Sequence, residues 1–275
     1  MSTLPNHTAE QQAELAFSRQ SVLFDQLYSS NTIIQYKRER VRQHLQQYLT
    51  PGSSVLELNS GTGEDAIWLA LRGHRVHATD ISTGMQEQLQ QKVDAMGLQQ
   101  QVSTQLISYT SLDQLPGDIQ YDMIFSNFAG LNCTGELARV LRSFDRLLKP
   151  GGTVTLVVLP RFCLWETMLL FKGKFRTAFR RFFSGKGRKA HVEGVHFTCW
   201  YYNPSYIKKH MPAGFSELST EGLCTIVPPS YMEGFAEKHP RLYRWLVKQE
   251  DRRKHSWLWR QSGDYCITSF RKKIQ

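Results

Sequence analysis

The sequence predicts an α/β fold in which helices flank a mostly parallel, doubly wound sheet. Two observations support this prediction. Val55, Leu56 and Leu58 form a short apolar run that stops at Asn59–Gly63, a segment of turn-forming residues, and Glu64 begins a helical pattern. A second strand is predicted at His74–Thr79, and it is again followed by a helical pattern. Strands that alternate with helices in this way are typical of a parallel sheet.

Composition narrows the class of protein. The chain has 275 residues, which is enough for one large domain or for a core domain with inserts. Its hydrophobic content of 41% is ordinary for a globular protein, and no apolar run approaches the ~20 residues that span a bilayer. The polar start lacks a signal-peptide core. Five scattered cysteines show no C-x-x-C pairing, so we expect reduced thiols, no bound metal and a cytoplasmic location.

The chain is basic. Its net charge is +10, which favours anionic partners through long-range attraction. The charge does not distinguish among nucleic acid, an acidic membrane surface and an anionic small molecule.

The first 49 residues are predicted to form an N-terminal helical cap. Apolar residues recur at helical spacing from Ala13 to Leu49, and Ser29-Ser30-Asn31 divides them into two helices. Thr50-Pro51-Gly52 then ends the second helix and introduces the first strand.

Residues 50–160 are predicted to form the core of the sheet. After the first two strands, a helix from Ile81 to Met96 is followed by a third strand at Val102–Ile107. Tyr121–Asn127 is the fourth strand, and an amphipathic helix over Gly135–Leu148 precedes the fifth, Thr153–Leu159.

The remaining chain is predicted to combine strands with two helical inserts. The first insert, residues 161–194, contains a basic aromatic helix at 171–183 in which four phenylalanines share one face. This pattern is typical of a lid over an active site or of a helix at a membrane surface. Residues 195–275 hold the rest of the sheet and a second insert at about 230–263. Their predicted strands are Val195–Tyr202, Phe215–Val227 and Asp264–Lys272.

Several motifs together resemble the class I methyltransferases that depend on S-adenosylmethionine (SAM) and act on small molecules. Glu57 precedes Gly61-x-Gly63-x-x-Ala66, the second strand ends in Asp80, and Pro150-Gly151-Gly152 leads into the fifth strand. In the family's first motif a glycine usually stands where this chain has Asn59. Asparagine tolerates a left-handed backbone better than most residues, so we expect the motif to remain functional.

The resemblance implies a seven-stranded sheet whose last strand is antiparallel, and SAM as a cofactor that leaves as S-adenosylhomocysteine. It also implies that Asp80 holds ribose hydroxyls, that Met85 packs on adenine and that Arg38 faces the carboxylate end of the cofactor. An acidic residue commonly follows the third strand in the family, and Ser108-Tyr109 stands there instead. The full set of expected cofactor-binding residues is Tyr36, Arg38, Glu57, Asn59, Ser60, Gly61, Gly63, Asp80, Ile81, Met85, Ser108, Tyr109, Asn127 and Phe128.

The expected reaction is methyl transfer to a small-molecule acceptor. Aromatic residues in both inserts favour an apolar or aromatic acceptor, and the basic charge allows an anionic one. Transfer from a sulfonium needs mainly proximity and orientation, although a hydroxyl or amine acceptor also needs a base. The candidate bases are His191, His196 and Tyr202, and Tyr201, Tyr231 and His239 remain open.

Two other functions remain open. An NAD(P)-dependent oxidoreductase would share Gly61-x-Gly63-x-x-Ala66 and Asp80, but Glu57 and the Pro-Gly-Gly turn disfavour it. A methyltransferase fold that binds RNA or a membrane surface would use helix 171–183. We expect no stable nucleic-acid partner, because Phe128 stands where an Asn-Pro-Pro-Tyr signature of base methylation needs proline.

Overall fold

The computed structural model describes residues 6–29, 31–182, 185–192, 194–232 and 234–274. Its helices, in chain order, are α1 (Asn6–Ser29), α2 (Thr32–Gln46), α3 (Glu64–Ala70), α4 (Thr83–Met96), α5 (Leu137–Leu147), α6 (Leu164–Met168), α7 (Phe175–Ala178), α8 (Pro204–His210), α9 (Phe235–Lys238) and α10 (Pro240–Arg253). Its strands are β1 (Ser54–Leu58), β2 (Arg75–Asp80), β3 (Val102–Leu106), β4 (Tyr121–Ser126), β5 (Leu148–Val158), β6 (Arg188–Val192), β7 (Val195–Cys199), β8 (Phe215–Leu223) and β9 (Tyr265–Lys272).

The main sheet has seven strands in the order β3-β2-β1-β4-β5-β9-β8. Strands β1 to β5 pair in parallel, and β9 pairs antiparallel with both β5 and β8. The predicted fold class is therefore confirmed, including the antiparallel last strand. Parallel strands place their carboxyl ends at one edge of the sheet, which is where such folds bind ligands.

Apolar layers cover both faces of the sheet. Successive side chains of β1 point to opposite faces, so Leu56 packs toward α5 and Val55 toward α3 and α4. Both of these side chains are fully buried. A strand buried on both faces reads as a continuous apolar run, which is why β1 was recognisable in the sequence.

The N-terminal helices meet where the sequence predicts a turn. Asn31 caps α2 by accepting hydrogen bonds from the backbone N–H groups of Ile33 (3.0 Å) and Ile34 (3.1 Å). Ser30, which belongs to the predicted turn, lies outside the described residues. Helix α1 lies against the start of α4, where Ser18 Oγ is 2.7 Å from Ser82 Oγ. It thereby lies above the carboxyl edge of the sheet.

The prediction of one helix over 171–183 is wrong. A short 3-10 helix at Leu169–Lys172 ends at Gly173, which has φ +69°, and α7 begins only at Phe175. Glycine in the left-handed region ends a helix, so the phenylalanine pattern is divided between two short turns. Phe183 lies outside the described residues.

Two strand predictions also need correction. The segment predicted at Val195–Tyr202 does not join the main sheet, because β7 pairs with β6 as a separate hairpin. The strand predicted over Phe215–Val227 stops at Leu223. Beyond it, the Glu250 carboxylate of α10 accepts hydrogen bonds from the four backbone N–H groups of residues 224–227. This carboxylate replaces a neighbouring strand as the partner of those groups.

None of the helices within the described ranges combines the length and apolar character needed to cross a membrane.

Candidate functional site

A cavity of about 130 Å³ lies above the carboxyl ends of β1, β2 and β4. Helix α1 forms its outer wall. Most of the expected cofactor-binding residues line it: Arg38, Glu57, Asn59, Ser60, Gly61, Asp80, Ile81, Met85, Tyr109, Asn127 and Phe128. The other described lining residues are Ala13, Phe17, Phe24, Thr62, Glu64, Asp65, Gly130 and Cys133. We call this space the first cavity.

The Asp80 carboxylate is fixed at the wall of the first cavity. Its Oδ2 accepts a hydrogen bond from the backbone N–H of Gly61 (2.9 Å), and its Oδ1 accepts one from Ser82 (2.9 Å). Burial raises the pKa of Asp80, although these backbone hydrogen bonds oppose that shift. A carboxylate has about four acceptor positions, so Asp80 keeps acceptor capacity for a ligand hydroxyl group.

Gly63 has a packing role instead of lining the cavity. It has φ +81°, and a Cβ added there would lie 2.0 Å from Leu89 Cδ1. The glycine therefore allows α3 and α4 to pack closely beside the turn.

Asn59 fits the turn because Gly130 leaves room for its side chain. Asn59 has φ 49°, and its Nδ2 donates to the carbonyl oxygen of Asn127 (2.9 Å) while its Oδ1 accepts from Ser126 Oγ (2.5 Å). A Cβ added to Gly130 would lie 2.1 Å from Asn59 Cγ. The asparagine in place of the usual glycine is thus matched by a glycine after β4, a pairing that the sequence analysis missed.

Glu57 presents an unpaired acid to the first cavity. It is 2% exposed, and its Oε2 has no hydrogen-bond partner in the described part of the chain. Burial and the nearby Asp65 raise the pKa of Glu57 well above its usual range, against the opposing effect of Arg38 and Arg42. An orphaned acid at this depth is stabilised by a ligand that carries positive charge. The buried acid in the first cavity therefore fits SAM, which has an ammonium and a sulfonium group.

Asp65 holds a group of hydrogen-bonded side chains in the wall of the first cavity, and the sequence analysis missed it. It pairs with Arg38 Nη1 (3.2 Å) and Arg42 Nε (3.0 Å), and it accepts from Asn127 Nδ2 (2.6 Å). Arg38 also lies over the ring of Phe128, 5.1 Å from its centroid. Arg38 and Asn127 thus reach the cavity as members of one hydrogen-bonded group. The position of Asp65 in the first turn of α3 was the available signal.

Helix α1 is tied directly to the motif turn. Thr62 Oγ1 donates to Asp25 Oδ1 (2.7 Å), and Lys92 of α4 forms an ion pair with the same carboxylate (2.6 Å). Phe17 and Phe24 of α1 then cover the first cavity with apolar surface.

Ser108 does not line the first cavity. It bonds the carboxylate of Glu10, a residue that is distant from it in sequence. Ser108 Oγ donates to Glu10 Oε2 (2.9 Å), and so does Thr110 Oγ1 (3.0 Å). Glu10 Oε1 is buried and has no partner among the described residues. Helix α1 therefore brings an acid to the end of β3, where the resemblance led us to expect one and the local sequence has hydroxyls.

The structure places Tyr36 away from the first cavity. Its hydroxyl donates to Glu250 Oε1 (3.1 Å), and its ring packs edge-on against Tyr243. Tyr36 therefore joins α2 to the second insert and is not positioned to contact a cofactor there.

The predicted catalytic residues are not among the described residues that line the first cavity, nor among those of a second cavity described below. His191 and His196 face each other across the β6–β7 hairpin with ring centroids 4.8 Å apart, and both are exposed. Tyr202 is buried, and its hydroxyl donates to the carbonyl oxygen of Thr134 (2.5 Å). We infer a packing role for Tyr202 in place of the predicted catalytic one.

A second cavity, of about 320 Å³, adjoins the first. The two share Phe17, Phe24, Arg38, Phe128 and Cys133. The remaining described wall of the second cavity is formed by Ile34, Lys37, Ala129, Leu159, Phe197, Cys199, Ser230 and Tyr265. It is mostly apolar and aromatic, as expected of a site for a small organic molecule.

A buried group of possible metal ligands lies outside both cavities. Atoms of Cys163, Glu166 and Asp264 lie within 4.8 Å of one another. The guanidinium of Arg181 already bonds both carboxylates, at 2.6 Å to Glu166 and 2.8 Å to Asp264. The cation of this group is therefore an arginine side chain, and we assign no metal to it.

Comparison with known proteins finds similarity to methyltransferases in the first part of the main sheet. Residues 55–152 match the family model described as methyltransferase domain. The chain is 28% identical over 136 residues to an uncharacterised methyltransferase of Synechocystis, covering 47% of this chain and 59% of the relative. It is 37% identical over 107 residues to a dimethylglycine N-methyltransferase of Parasynechococcus marenigrum, covering 38% and 36%. A third relative is an S-adenosyl-L-methionine-dependent Diels-Alderase of Talaromyces variabilis, with 31% identity over 114 residues that cover 41% of this chain and 38% of the relative. The chain thus matches less than two thirds of the length of each of these relatives.

Solved structures share the fold over nearly the whole chain. The [4+2]-cyclase SpnF superposes with a TM-score of 0.64 at 18% identity, covering 100% of both chains. A Burkholderia thailandensis 1,6-didemethyltoxoflavin-N1-methyltransferase, with its substrate and S-adenosylhomocysteine bound, gives a TM-score of 0.59 at 14% identity and covers 99% of this chain and 92% of that one. At these identities the likeness shows the fold alone.

Proposed function

We propose that the protein is a SAM-dependent methyltransferase acting on a small molecule, because residues 55–152 match the methyltransferase-domain model and the main sheet has the fold of that class. The observation that supports it best is Glu57, an unpaired buried acid in a cavity that Asp80 also lines. A dinucleotide brings no cation to that depth except its nicotinamide ring, whereas SAM brings an ammonium group and a sulfonium.

Different residues at the first cavity would bind the nucleoside part and the amino-acid part of SAM. Asp80 would hold the ribose hydroxyls, Glu57 would face the charged amino-acid end, and Met85 would pack on the adenine. Glu10 is not among the described lining residues, but it lies at the end of β3, and its unpaired Oε1 would accept a hydrogen bond from the adenine amine. When bound, SAM supplies an electrophilic methyl group.

We propose that the acceptor occupies the second cavity. Its aromatic wall excludes water and holds an apolar or aromatic molecule beside the first cavity. Among its described lining residues, burial raises the pKa of the thiols of Cys133 and Cys199, so these thiols stay protonated at neutral pH and offer no thiolate base. The chain therefore contributes orientation and desolvation more than proton abstraction.

Calorimetric titration with S-adenosylhomocysteine, with NADH in parallel, tests the cofactor. We expect micromolar binding of S-adenosylhomocysteine and at least about tenfold weaker binding to Asp80→Ala, because a charge-assisted hydrogen bond to the ribose is lost. Asp118→Ala, at an exposed aspartate, is the matched control. Preference for NADH, or no binding of S-adenosylhomocysteine, would refute the proposal.

A cyclase that uses SAM without consuming it is the second candidate function. One relative is named an S-adenosyl-L-methionine-dependent Diels-Alderase, and one similar structure is that of a [4+2]-cyclase. His191, His196 and Tyr202, the predicted bases, are not among the described lining residues of either cavity. Release of S-adenosylhomocysteine distinguishes the two functions, because only methyl transfer converts SAM during turnover.

We further propose that exposed phenylalanines of the first insert contact an anionic membrane surface. Phe171 is 91% exposed and Phe175 is 61% exposed, and Lys172 and Lys174 lie between them. Co-sedimentation with phosphatidylserine vesicles should fall in a Phe171→Ser/Phe175→Ser variant and persist in Trp257→Ser, which alters an exposed aromatic residue elsewhere. Equal sedimentation of both variants would exclude this contact.

A further inference from the structure

The second cavity has a buried cation in its wall. Lys37 of α2 is 3% exposed and lines the cavity. Its Nζ donates a hydrogen bond to Ser230 Oγ (2.9 Å), whereas Asp264 Oδ2 is 3.8 Å away, beyond hydrogen-bond distance. An ammonium group has three N–H donors, so Lys37 keeps donor capacity for a ligand.

Asp264 lies closer to Arg181 than to Lys37. Its Oδ1 accepts a hydrogen bond from Arg181 Nη2 (2.8 Å), and Arg181 also bonds Glu166 (2.6 Å). Glu166 in turn accepts two hydrogen bonds from Arg180. In this described cluster, the carboxylates of Asp264 and Glu166 are shared by Lys37, Arg180 and Arg181. Lys37 lies at the wall of the second cavity, and its ion-pair distance is the longest in the cluster. A buried ammonium with weak compensation favours an anionic neighbour.

Two aromatic rings hold the ammonium group in place. Lys37 Nζ lies 4.7 Å from the ring centroid of Tyr265 and 5.8 Å from that of Phe128. The wall beyond them is apolar, with Phe17, Leu159 and Phe197 among its residues. The cavity thus combines a broad aromatic surface with one localised positive charge.

We propose that the molecule bound in the second cavity is an apolar, aromatic-sized acid whose carboxylate pairs with Lys37. A single ammonium matches a monoanion, whereas a phosphate dianion is usually held by several cations or by an arginine fork. Arg38 also lines this cavity, but its guanidinium is paired with Asp65. The inference rests on the proposed function only in identifying this acid as the methyl acceptor.

The test compares two ligands with the same ring system and different charge. 2-Naphthoate and 2-naphthalenemethanol are titrated by calorimetry into the full chain saturated with S-adenosylhomocysteine. We expect the acid to bind at least about tenfold more tightly than the alcohol, because a charge-assisted hydrogen bond is worth about that factor. Lys37→Met should remove the preference, whereas Lys209→Met, at an exposed lysine, should retain it.

Separate readouts keep the inference independent of protein folding and of the cofactor. Equal binding of acid and alcohol by the unaltered chain, including undetectable binding of both at millimolar concentration, would overturn it without any variant. A preference that persists in Lys37→Met would also overturn it. Affinity for S-adenosylhomocysteine, measured on each variant, reports folding of the first cavity. If the unaltered chain fails to bind S-adenosylhomocysteine, the proposed function fails, but the same two naphthalene ligands still test Lys37 in the free protein.

Discussion

The two cavities are neighbours that the chain builds in different ways. The first is formed largely by short segments at strand ends, such as Asn59–Gly61 and Asp80, which the main-chain pattern brings to one edge of the sheet. The second is assembled from α1, α2, the β6–β7 hairpin and the residues near Ser230 and Tyr265. The contrast indicates that the site proposed for the cofactor depends more on local sequence, whereas the site proposed for the acceptor depends on long-range packing. The predictions below test that contrast, beginning with the largest expected effect.

Gly130→Ala should abolish binding of S-adenosylhomocysteine. The new Cβ would lie 2.1 Å from Asn59 Cγ, so the turn after β1 must move. Overpacking of this kind costs about 1–3 kcal/mol in the free energy of unfolding, which thermal denaturation measures. Asn59→Gly combined with Gly130→Ala removes the clash and should restore much of the binding. If the double variant binds no better than Gly130→Ala, the pairing of these residues is not the reason for the asparagine.

Glu57 should make the unliganded protein less stable as pH rises. Its pKa in the folded chain is raised by burial, so folding favours the protonated acid. The resulting stabilisation is complete below its unfolded pKa near 4.5 and is lost as pH rises through the folded pKa. Between those values the slope from this group reaches about 1.4 kcal/mol per pH unit. Urea denaturation across pH should show a flatter profile for Glu57→Gln, and identical slopes in the two proteins would contradict the assignment.

Glu10→Gln should weaken binding of S-adenosylhomocysteine by roughly tenfold, because a neutral amide replaces the charged acceptor proposed for the adenine amine. S-inosylhomocysteine lacks that amine, so its affinity should change little in the same variant. Glu87→Gln, at an exposed glutamate of α4, is the control. Equal losses for both ligands would assign Glu10 to packing of α1 and not to adenine recognition.

Tyr202→Phe should have the smallest effect. Loss of the hydrogen bond to Thr134 is expected to lower the free energy of unfolding by about 0.5–1.5 kcal/mol. Affinity for S-adenosylhomocysteine and turnover should stay close to those of the unaltered chain. A loss of turnover at unchanged affinity would return Tyr202 to the catalytic role that the sequence suggested.

Short apolar runs, turn residues and motifs made the sheet predictable. β1 is buried on both faces and ends in a glycine turn, so its residues identified both the strand and the cavity edge above it. The amphipathic pattern of α5 was equally clear, because Leu137, Val140, Leu141 and Phe144 all face the core. In the first insert the periodicity was misleading, since Gly173 divides the expected helix.

The sequence by itself determined the class of fold, the edge of the sheet that carries the site and most residues lining the first cavity, because strand periodicity and turn chemistry are local properties. Only the tertiary structure decided that Glu10 meets Ser108, that Gly130 accommodates Asn59 and that Lys37 faces the second cavity. It also decided that the hydroxyls of Tyr36 and Tyr202 bond Glu250 and Thr134, so that neither tyrosine is among the described residues lining the first cavity. These contacts join residues far apart in the chain, and local propensity carries no information about which distant side chains packing will bring together.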